Sequence, residues 1–126
     1  EHLVEFRVAL AEISKDPERL VRVGRAELIE QARRGEVVVL DVRPEAEYAA
    51  AHLPYARSMP LAELERRVAE LPNNREIVAY CRGPFCLLSN EAMQLLSARG
   101  FDVRKLLDGV GEWQAAGMPI ERTTPA

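Results

Sequence analysis

Two cysteines, Cys81 and Cys86, mark a short loop whose residues could perform nucleophilic chemistry. An apolar, strand-like run at 77–80 leads into this loop, and a helix-like run at 87–99 follows it. Loop N–H groups and the N-terminus of a helix both favour an anion, so we expect a Cys81 thiolate beside Arg82 to have a lowered pKa and to be nucleophilic at neutral pH. The alternative is that Cys81 is a small, buried residue that ends a strand, as free cysteines often are.

The elements that must position this loop alternate along the chain between strand and helix patterns. Strands are predicted at 20–23, 37–40, 77–80 and 103–106, and helices at 25–34, 61–71 and 87–99. Gly35 and Gly100 are natural stops for the first and the third helix. Unbroken apolar strands that alternate with helices favour a mostly parallel sheet covered on both faces. Such sheets bind ligands beyond the carboxyl ends of their strands, where Asp41 and Cys81 both stand.

Composition limits the chain to one core and narrows its partners. The 126 residues are 48% hydrophobic, and the net charge of −3 is spread along the chain. No basic stripe and no long apolar run is visible, so we expect no direct contact with nucleic acid and none with a membrane. The N-terminus lacks the pattern of a signal peptide, which favours a cytoplasmic protein. His2 and His52 could join the cysteines on a metal, but the four-ligand pattern is incomplete, and we expect no metal and no cofactor.

The first 17 residues form a separate unit in this interpretation. Asp16-Pro17 would end a helix that carries one apolar stripe, formed by Leu3, Phe6, Leu10 and Ile13. Such a stripe either packs on its own domain or belongs to a connector or dimerisation helix, and two heptads do not decide between them. Glu1 stands in place of an initiator methionine, which hints at a fragment of a longer protein. We therefore divide the chain into a helical extension or connector (1–17), a main domain (18–122) and a tail (123–126).

Several separated motifs of the main domain resemble those of the rhodanese, or sulfurtransferase, domain. They are Leu40-Asp41-Val42-Arg43, Glu47-Tyr48, His52-Leu53-Pro54 with Ala56, Gly100-Phe101-Asp102-Val103, Leu107-Asp108-Gly109 and Glu112-Trp113. Cys81 opens the intervening loop at the place expected for the active-site cysteine of that family. The resemblance runs from about Val21 to Ile120 and implies an α/β domain with a mostly parallel, five-stranded sheet and helices on both faces. It also implies that Cys81 accepts a sulfane sulfur as a persulfide and passes it to a nucleophilic acceptor.

The chain departs from the family pattern at several positions. Ala51 and Tyr55 stand where the family usually has glycines, and Val110 replaces the second glycine of a pair. Pro84 removes one backbone N–H from the loop, although its fixed φ stiffens the same loop. The sequence from Arg82 to Cys86 looks most like the rhodanese modules fused behind winged-helix repressors of the arsenic-repressor type.

These residues define a candidate site centred on the loop. Cys81 is the candidate nucleophile, and the substrate-binding loop consists of Arg82, Gly83, Pro84, Phe85, Cys86 and Leu87. Arg82 is expected to attract anions, and Phe85 either walls the pocket or offers an apolar face to an acceptor protein. Cys86 is either a resolving thiol that releases sulfur as a disulfide or a packed residue at the start of the helix. Asp41, Arg43 and His52 are expected to support the site through hydrogen bonds rather than to take part in chemistry.

The sequence leaves more than one function open. The first is a sulfurtransferase, which takes sulfur from a small anion such as thiosulfate or polysulfide and gives it to a thiol, a protein or cyanide. The second is a non-enzymatic module that senses sulfane sulfur, oxidant or arsenite through Cys81 and Cys86 and signals to a covalently linked N-terminal DNA-binding domain. Cysteine phosphatases and arsenate reductases are disfavoured, because they need an arginine where this chain has Leu87.

Overall fold

A parallel sheet forms the centre of the computed structural model, which describes residues 19–123. Its four strands are β1 (Val37–Asp41), β2 (Arg57–Ser58), β3 (Glu76–Tyr80) and β4 (Val103–Lys105), in the order β2-β1-β3-β4. The central pair runs from Val37 opposite Glu76 to Asp41 opposite Tyr80. Because all neighbouring pairs are parallel, the carboxyl ends of the strands share one edge of the sheet.

Within residues 19–123, five α-helices accompany this sheet. They are α1 (Arg25–Arg33), α2 (Glu45–Ala50), α3 (Leu61–Arg67), α4 (Leu88–Ala98) and α5 (Val110–Ala115), and a 3-10 turn at Val68–Glu70 extends α3. Gly35 and Gly100 follow α1 and α4 with φ of 75° and 89°, the left-handed conformation that ends many helices. The predicted α/β fold is confirmed, and the two six-residue helices α2 and α5 are additions to it.

The central strands β1 and β3 are buried on both faces, which explains their nearly unbroken apolar sequences. On one face Leu40, Ala79 and Cys81 belong to a cluster with Leu64 of α3 and Leu96 of α4. On the other face the intervening strand residues pack with side chains from α1 and α5, in a cluster that includes Val39, Val78, Tyr80, Leu28 and Trp113. Successive side chains of a strand alternate between faces, so Tyr80 and Cys81 enter opposite halves of the core.

The predicted strand at 20–23 is reduced to one bridge, so the sheet has four strands rather than five. Leu20 pairs in parallel with Lys105, on the free edge of β4. The Val21 N–H donates to the Lys105 carbonyl at 2.9 Å, and the Lys105 N–H donates to the Arg19 carbonyl at 2.8 Å. Arg19, which precedes the bridge, has a left-handed φ of 53°, so the extended segment begins only at Leu20, and the partner strand β4 ends at Lys105.

Some predictions fall on residues 1–18 and 124–126, which lie outside the described residues. They include the stripe of Leu3, Phe6, Leu10 and Ile13, the helix end at Asp16-Pro17, and most of the predicted tail. Among the described helices, none combines the length and the apolar character needed to cross a lipid bilayer.

Candidate active site

Cys81 lies directly after β3, at the carboxyl edge of the sheet. Its Sγ is 3.3 Å from the hydroxyl oxygen of Ser89, a buried residue in the first turn of α4. The Cys86 carbonyl oxygen lies 3.5 Å from the same sulfur. Cys81 is 1% exposed, so its sulfur is almost completely shielded from solvent in this conformation. The sequence analysis did not predict that Ser89 contacts Cys81. A small polar residue on the apolar face of a predicted helix was the only sequence signal for it.

Residues Gly83 to Cys86 form a reverse turn that folds the loop back on itself. The Cys86 N–H donates to the Gly83 carbonyl at 3.2 Å, and Pro84 occupies the second position, where β-turns favour proline. Phe85 stands at the tip of the turn with 96% of its surface exposed. Its apolar ring therefore faces solvent, and contact with an acceptor protein stays a prediction. Leu87, also exposed, is the N-cap of α4.

The loop surroundings shift the pKa of the Cys86 thiol. Burial raises the pKa of Cys86, but a hydrogen bond with the Cys81 side chain and others from the backbone N–H groups of Arg82 and Leu88 lower it below its ordinary value. The charge of Arg82 acts in the same direction. The lowering influences outweigh burial, so the loop favours the thiolate form of Cys86.

Arg82 is held by a carboxylate from α2. Its Nε lies 2.9 Å from Glu47 Oε1 and its Nη2 lies 2.6 Å from Glu47 Oε2, a two-bonded geometry. The hydrogen bond and charge of Arg82 hold the pKa of Glu47 below its ordinary value, although slight burial opposes the shift. The guanidinium that the sequence assigned to an incoming anion is therefore already paired with Glu47. The sequence analysis named Glu47 as part of a family motif but did not predict its ion pair with Arg82.

Asp41 is the centre of a buried hydrogen-bond network at the end of β1. Its carboxylate accepts bonds from Arg43, Nε to Oδ1 at 2.9 Å and Nη2 to Oδ2 at 2.6 Å. The Tyr80 hydroxyl donates to Asp41 Oδ2 at 2.8 Å, between residues that are paired across β1 and β3. Burial acts to lower the pKa of Arg43, but the hydrogen bond and charge of Asp41 raise it, so the guanidinium stays charged. Burial raises the pKa of Tyr80 far above its ordinary value, so its hydroxyl remains a donor.

The same network fixes the backbone on both sides of the site. Arg43 Nη2 donates to the Ala51 carbonyl at 2.6 Å, and the Leu53 N–H donates to the Tyr80 hydroxyl oxygen at 3.1 Å. Tyr80 immediately precedes Cys81, so the network holds the strand end from which the loop departs. This placement suits Asp41 and Arg43 for positioning the loop.

His52 contacts a different part of the domain. Its ring stacks on Tyr48, with the ring centroids 3.8 Å apart, and its Nδ1 lies 2.7 Å from the Tyr48 carbonyl oxygen. Its backbone exchanges two hydrogen bonds of 2.8 Å with Glu121. His52 thereby joins the segment after α5 to α2, which is a structural position.

Gly109 forms a wall of the site by close approach to the loop backbone. A Cβ on Gly109 would lie 3.0 Å from the Cys81 carbonyl oxygen and nearer still to the Arg82 carbonyl. The Gly109 N–H donates to Glu112 Oε1 at 2.7 Å, and the same carboxylate lies beside Gly83. Only glycine fits at this position, and Val110 after it begins α5 with an ordinary φ.

The two other departures from the family pattern differ from each other in backbone conformation. Tyr55 has a φ of 66°, in the left-handed region that glycine enters without steric cost. Ala51 is extended, with a φ of −170°, which any residue can adopt. The turn around His52-Leu53-Pro54 thus keeps a glycine-like geometry at Tyr55.

An open pocket of about 620 Å³ lies over the loop and is lined by residues 82–88 and by Glu112. Cys86 lines this pocket, whereas Cys81 does not. In the described part of the chain, no group of three or more His, Cys, Asp or Glu side chains is placed to hold a metal ion.

Comparison with known proteins gives the same family that the motifs resemble. The model of the rhodanese-like domain family matches residues 25–116. The HTH-type transcriptional regulator Rv0324 of Mycobacterium tuberculosis is 43% identical over 125 residues, which is 99% of this chain but 54% of that protein. This chain therefore spans about half the length of that regulator. A sulfurtransferase of Allochromatium vinosum is 33% identical over 68% of this chain and 78% of its own.

A solved structure shares the fold. The BH2092 protein of Bacillus halodurans superposes with a TM-score of 0.77 at 27% sequence identity, covering 93% of this chain and 86% of that one.

Proposed function

Because the chain belongs to the rhodanese-like domain family, we propose that it is a sulfurtransferase in which Cys81 accepts a sulfane sulfur as a persulfide. The proposed donors are thiosulfate and polysulfide, and the proposed acceptors are cyanide and a small or protein thiol. The observation that carries this proposal is the position of Cys81, at the end of the central strand and at the N-terminus of the 11-residue helix α4. The family resemblance recognised in the sequence is itself confirmed.

The reaction asks little of the surrounding side chains. The Cys81 thiolate attacks the outer sulfur of thiosulfate, a new S–S bond forms, and the S–S bond of thiosulfate breaks with loss of sulfite. An acceptor thiolate or cyanide then attacks the outer sulfur of the persulfide and releases the Cys81 thiolate. The positive end of α4 favours the anionic sulfur, and Ser89 can donate a hydrogen bond to it. A thiolate that is already formed needs no general base.

Mass spectrometry at early times after mixing with thiosulfate or polysulfide tests the assignment. We expect the protein to gain the mass of one sulfur, which cyanide or dithiothreitol removes. Cys81→Ser should abolish the gain, whereas the matched variant Cys86→Ser should retain it. An undiminished gain in Cys81→Ser that maps to Cys86 would show that the roles of the two cysteines are exchanged.

The similarity to a transcriptional regulator over 99% of the chain favours a second candidate, a sulfur-, redox- or arsenite-sensing module. In this proposal residues 1–17 connect the domain to an N-terminal DNA-binding domain, and the protein is cytoplasmic, in a compartment that keeps thiols reduced. Excess thiosulfate with an acceptor thiol separates the two candidates, because an enzyme turns over many times and a sensor stops after one modification. Removal of residues 1–14 should leave sulfur loading intact if that segment is a connector.

A further inference from the structure

The backbone of Cys86 lies against the sulfur of Cys81, and this proximity has a chemical consequence. The Cys86 carbonyl oxygen lies 3.5 Å from Cys81 Sγ, and both residues pack in the same core cluster. Both cysteines are free thiols in this structure. A thiol on a residue whose backbone touches Cys81 Sγ lies close to the inner sulfur of a persulfide formed there.

We propose that Cys86 is a resolving thiol, which attacks Cys81 Sγ after sulfur loading, forms a Cys81–Cys86 disulfide and releases the sulfane sulfur as sulfide. This inference rests on the proposed function, since it needs the Cys81 persulfide as its starting state. The persulfide then has two possible fates. It passes its sulfur to an external acceptor, or, when no acceptor is present, it is converted into the Cys81–Cys86 disulfide.

The step balances without any further oxidant. The Cys86 thiolate donates its electron pair to Cys81 Sγ, the S–S bond of the persulfide breaks, and its outer sulfur leaves as HS⁻. With thiosulfate as donor, the two thiols and one thiosulfate become one disulfide, one hydrogen sulfide and one sulfite. The two thiol protons end on the sulfide. A dithiol such as dithiothreitol then reduces the disulfide and restores both thiols.

The loop is built in a way that favours this attack. The turn from Gly83 to Cys86, closed by the 3.2 Å hydrogen bond and stiffened by Pro84, returns the chain to Cys81 within five residues. A disulfide needs its two Cα atoms within about 7 Å, which such a reversal allows. Burial raises the pKa of Cys86, but the surrounding loop groups, with the charge of Arg82 among them, lower it below its ordinary value, which favours the attacking thiolate.

The alternative role for Cys86 is packing alone. Its side chain does touch the core cluster that contains Leu40 and Leu96, as a packing residue would. Packing does not depend on a thiol or on the closeness of a second cysteine. It is also satisfied by a side chain of similar size, so substitution separates the two roles.

The experiment follows a single loading event. Protein is mixed with one equivalent of thiosulfate in the absence of any acceptor, and the mass of the protein and the sulfide released are followed together. We expect the wild type to gain one sulfur and then to lose it, ending two hydrogens lighter than the reduced protein. Peptide mapping should find the Cys81–Cys86 disulfide, with one sulfide released for each. In Cys86→Ser and Cys86→Ala the persulfide should last at least roughly tenfold longer, because the internal thiolate is absent.

The other outcomes each decide a different question. Equal persulfide lifetimes in wild type and variants, with no disulfide in the wild type, would overturn the resolving role and leave the proposed function standing. Sulfur that moves to Cys86 and stays there without sulfide release would also overturn it, since the attack would then be on the outer sulfur. Absence of any sulfur gain in wild type and variants would overturn the proposed function and this inference with it. If a variant fails to fold, disulfide mapping and sulfide release in the wild type still decide whether Cys86 resolves the persulfide.

Discussion

Two ion pairs flank the cysteine loop, and they differ in their exposure to solvent. In the Asp41–Arg43 pair the side chains are 0% and 8% exposed, and in the Glu47–Arg82 pair they are 35% and 53% exposed. Both have short, two-bonded geometry, with closest N–O distances of 2.6 Å. The distances alone would make the pairs equivalent, so their burial decides what each one does.

The buried pair is part of the architecture, whereas the exposed pair can open. Asp41 and Arg43 also bond to Tyr80 and to the Ala51 carbonyl, so breaking the pair leaves several buried polar groups without partners. Water can replace either partner in the pair of Glu47 and Arg82, and such exposed pairs contribute little to stability. We infer that the Asp41–Arg43 pair fixes the position at which the cysteine loop begins. The Glu47–Arg82 pair adjusts the charge at the entrance to the loop.

The largest effect is expected at the buried pair. Asp41→Asn removes the charge that compensates the buried guanidinium of Arg43, and loss of one partner of a buried pair costs about 3–5 kcal/mol. Urea unfolding should show this loss in the free energy of unfolding, with slower sulfur loading of the remaining folded protein.

A double variant checks the reason for that loss. Asp41→Asn combined with Arg43→Met removes the unpaired charge, so it should be less destabilised than Asp41→Asn alone. A cost below about 1 kcal/mol for Asp41→Asn would place this pair in the same class as the exposed one and remove the contrast between them.

An intermediate effect is expected at Gly109, which belongs to the rigid side of the loop. Gly109→Ala places a Cβ against the carbonyl groups of Cys81 and Arg82, and overpacking of this kind costs about 1–3 kcal/mol. We expect a lower free energy of unfolding and slower sulfur loading.

Gly111 provides the matched control for this substitution. A Cβ there meets nothing within 4 Å, and the residue lies inside α5, where alanine is favoured over glycine. Gly111→Ala should therefore leave stability equal or higher. Similar losses in both variants would mean that helix α5, rather than the approach to the loop, is the sensitive feature.

The sequence predicts the elements whose signals are long and local. Helices α1, α3 and α4 and strands β1, β3 and β4 follow from the sequence pattern, and Gly35 marks a helix end as expected. The two-residue strand β2 has no such pattern and was not predicted. Helices α2 and α5 have six residues each, which is too few to show a periodic apolar stripe, so the sequence does not predict them as helices. The strand at 20–23 is reduced to the Leu20 bridge because its partner strand β4 ends at Lys105 and because Arg19, just before it, is not extended, and the residue types reveal neither.

The candidate site is predictable only in part, for a different reason. Cys81, Asp41 and the loop are found from their place at strand ends, which is a property of the local sequence. The partners that decide the electrostatics lie on other elements: Glu47 is 35 residues from Arg82, and Gly109 meets the loop from beyond β4. Such pairings depend on how the helices dock, and one sequence contains no direct signal of that.

The smallest effect on stability, and the most specific effect on activity, is expected at the exposed pair. Glu47→Gln removes the carboxylate that occupies Arg82, so the guanidinium becomes free to bind an anionic donor. The KM for thiosulfate should fall by roughly two- to tenfold with little change in kcat, because the interaction gained is ground-state binding of charge. An uncharged organic polysulfide should show no such gain, and the melting temperature should move by roughly 3 °C or less.

Glu45→Gln is the matched control for that variant, since Glu45 lies on the same helix and carries the same charge, while the carboxylate bonded to Arg82 is that of Glu47.

The effect of Glu47→Gln should also depend on pH in a defined way. The pKa of Glu47 is lowered in the folded state, so its pair with Arg82 is complete above the ordinary pKa of glutamate and is lost only as the pH falls through the lowered pKa. The difference in KM between wild type and Glu47→Gln should therefore be constant from roughly pH 5 to 8. If Glu45→Gln lowers the KM for thiosulfate as much as Glu47→Gln does, the general surface charge explains the result. Glu47 would then not compete specifically with the donor for Arg82.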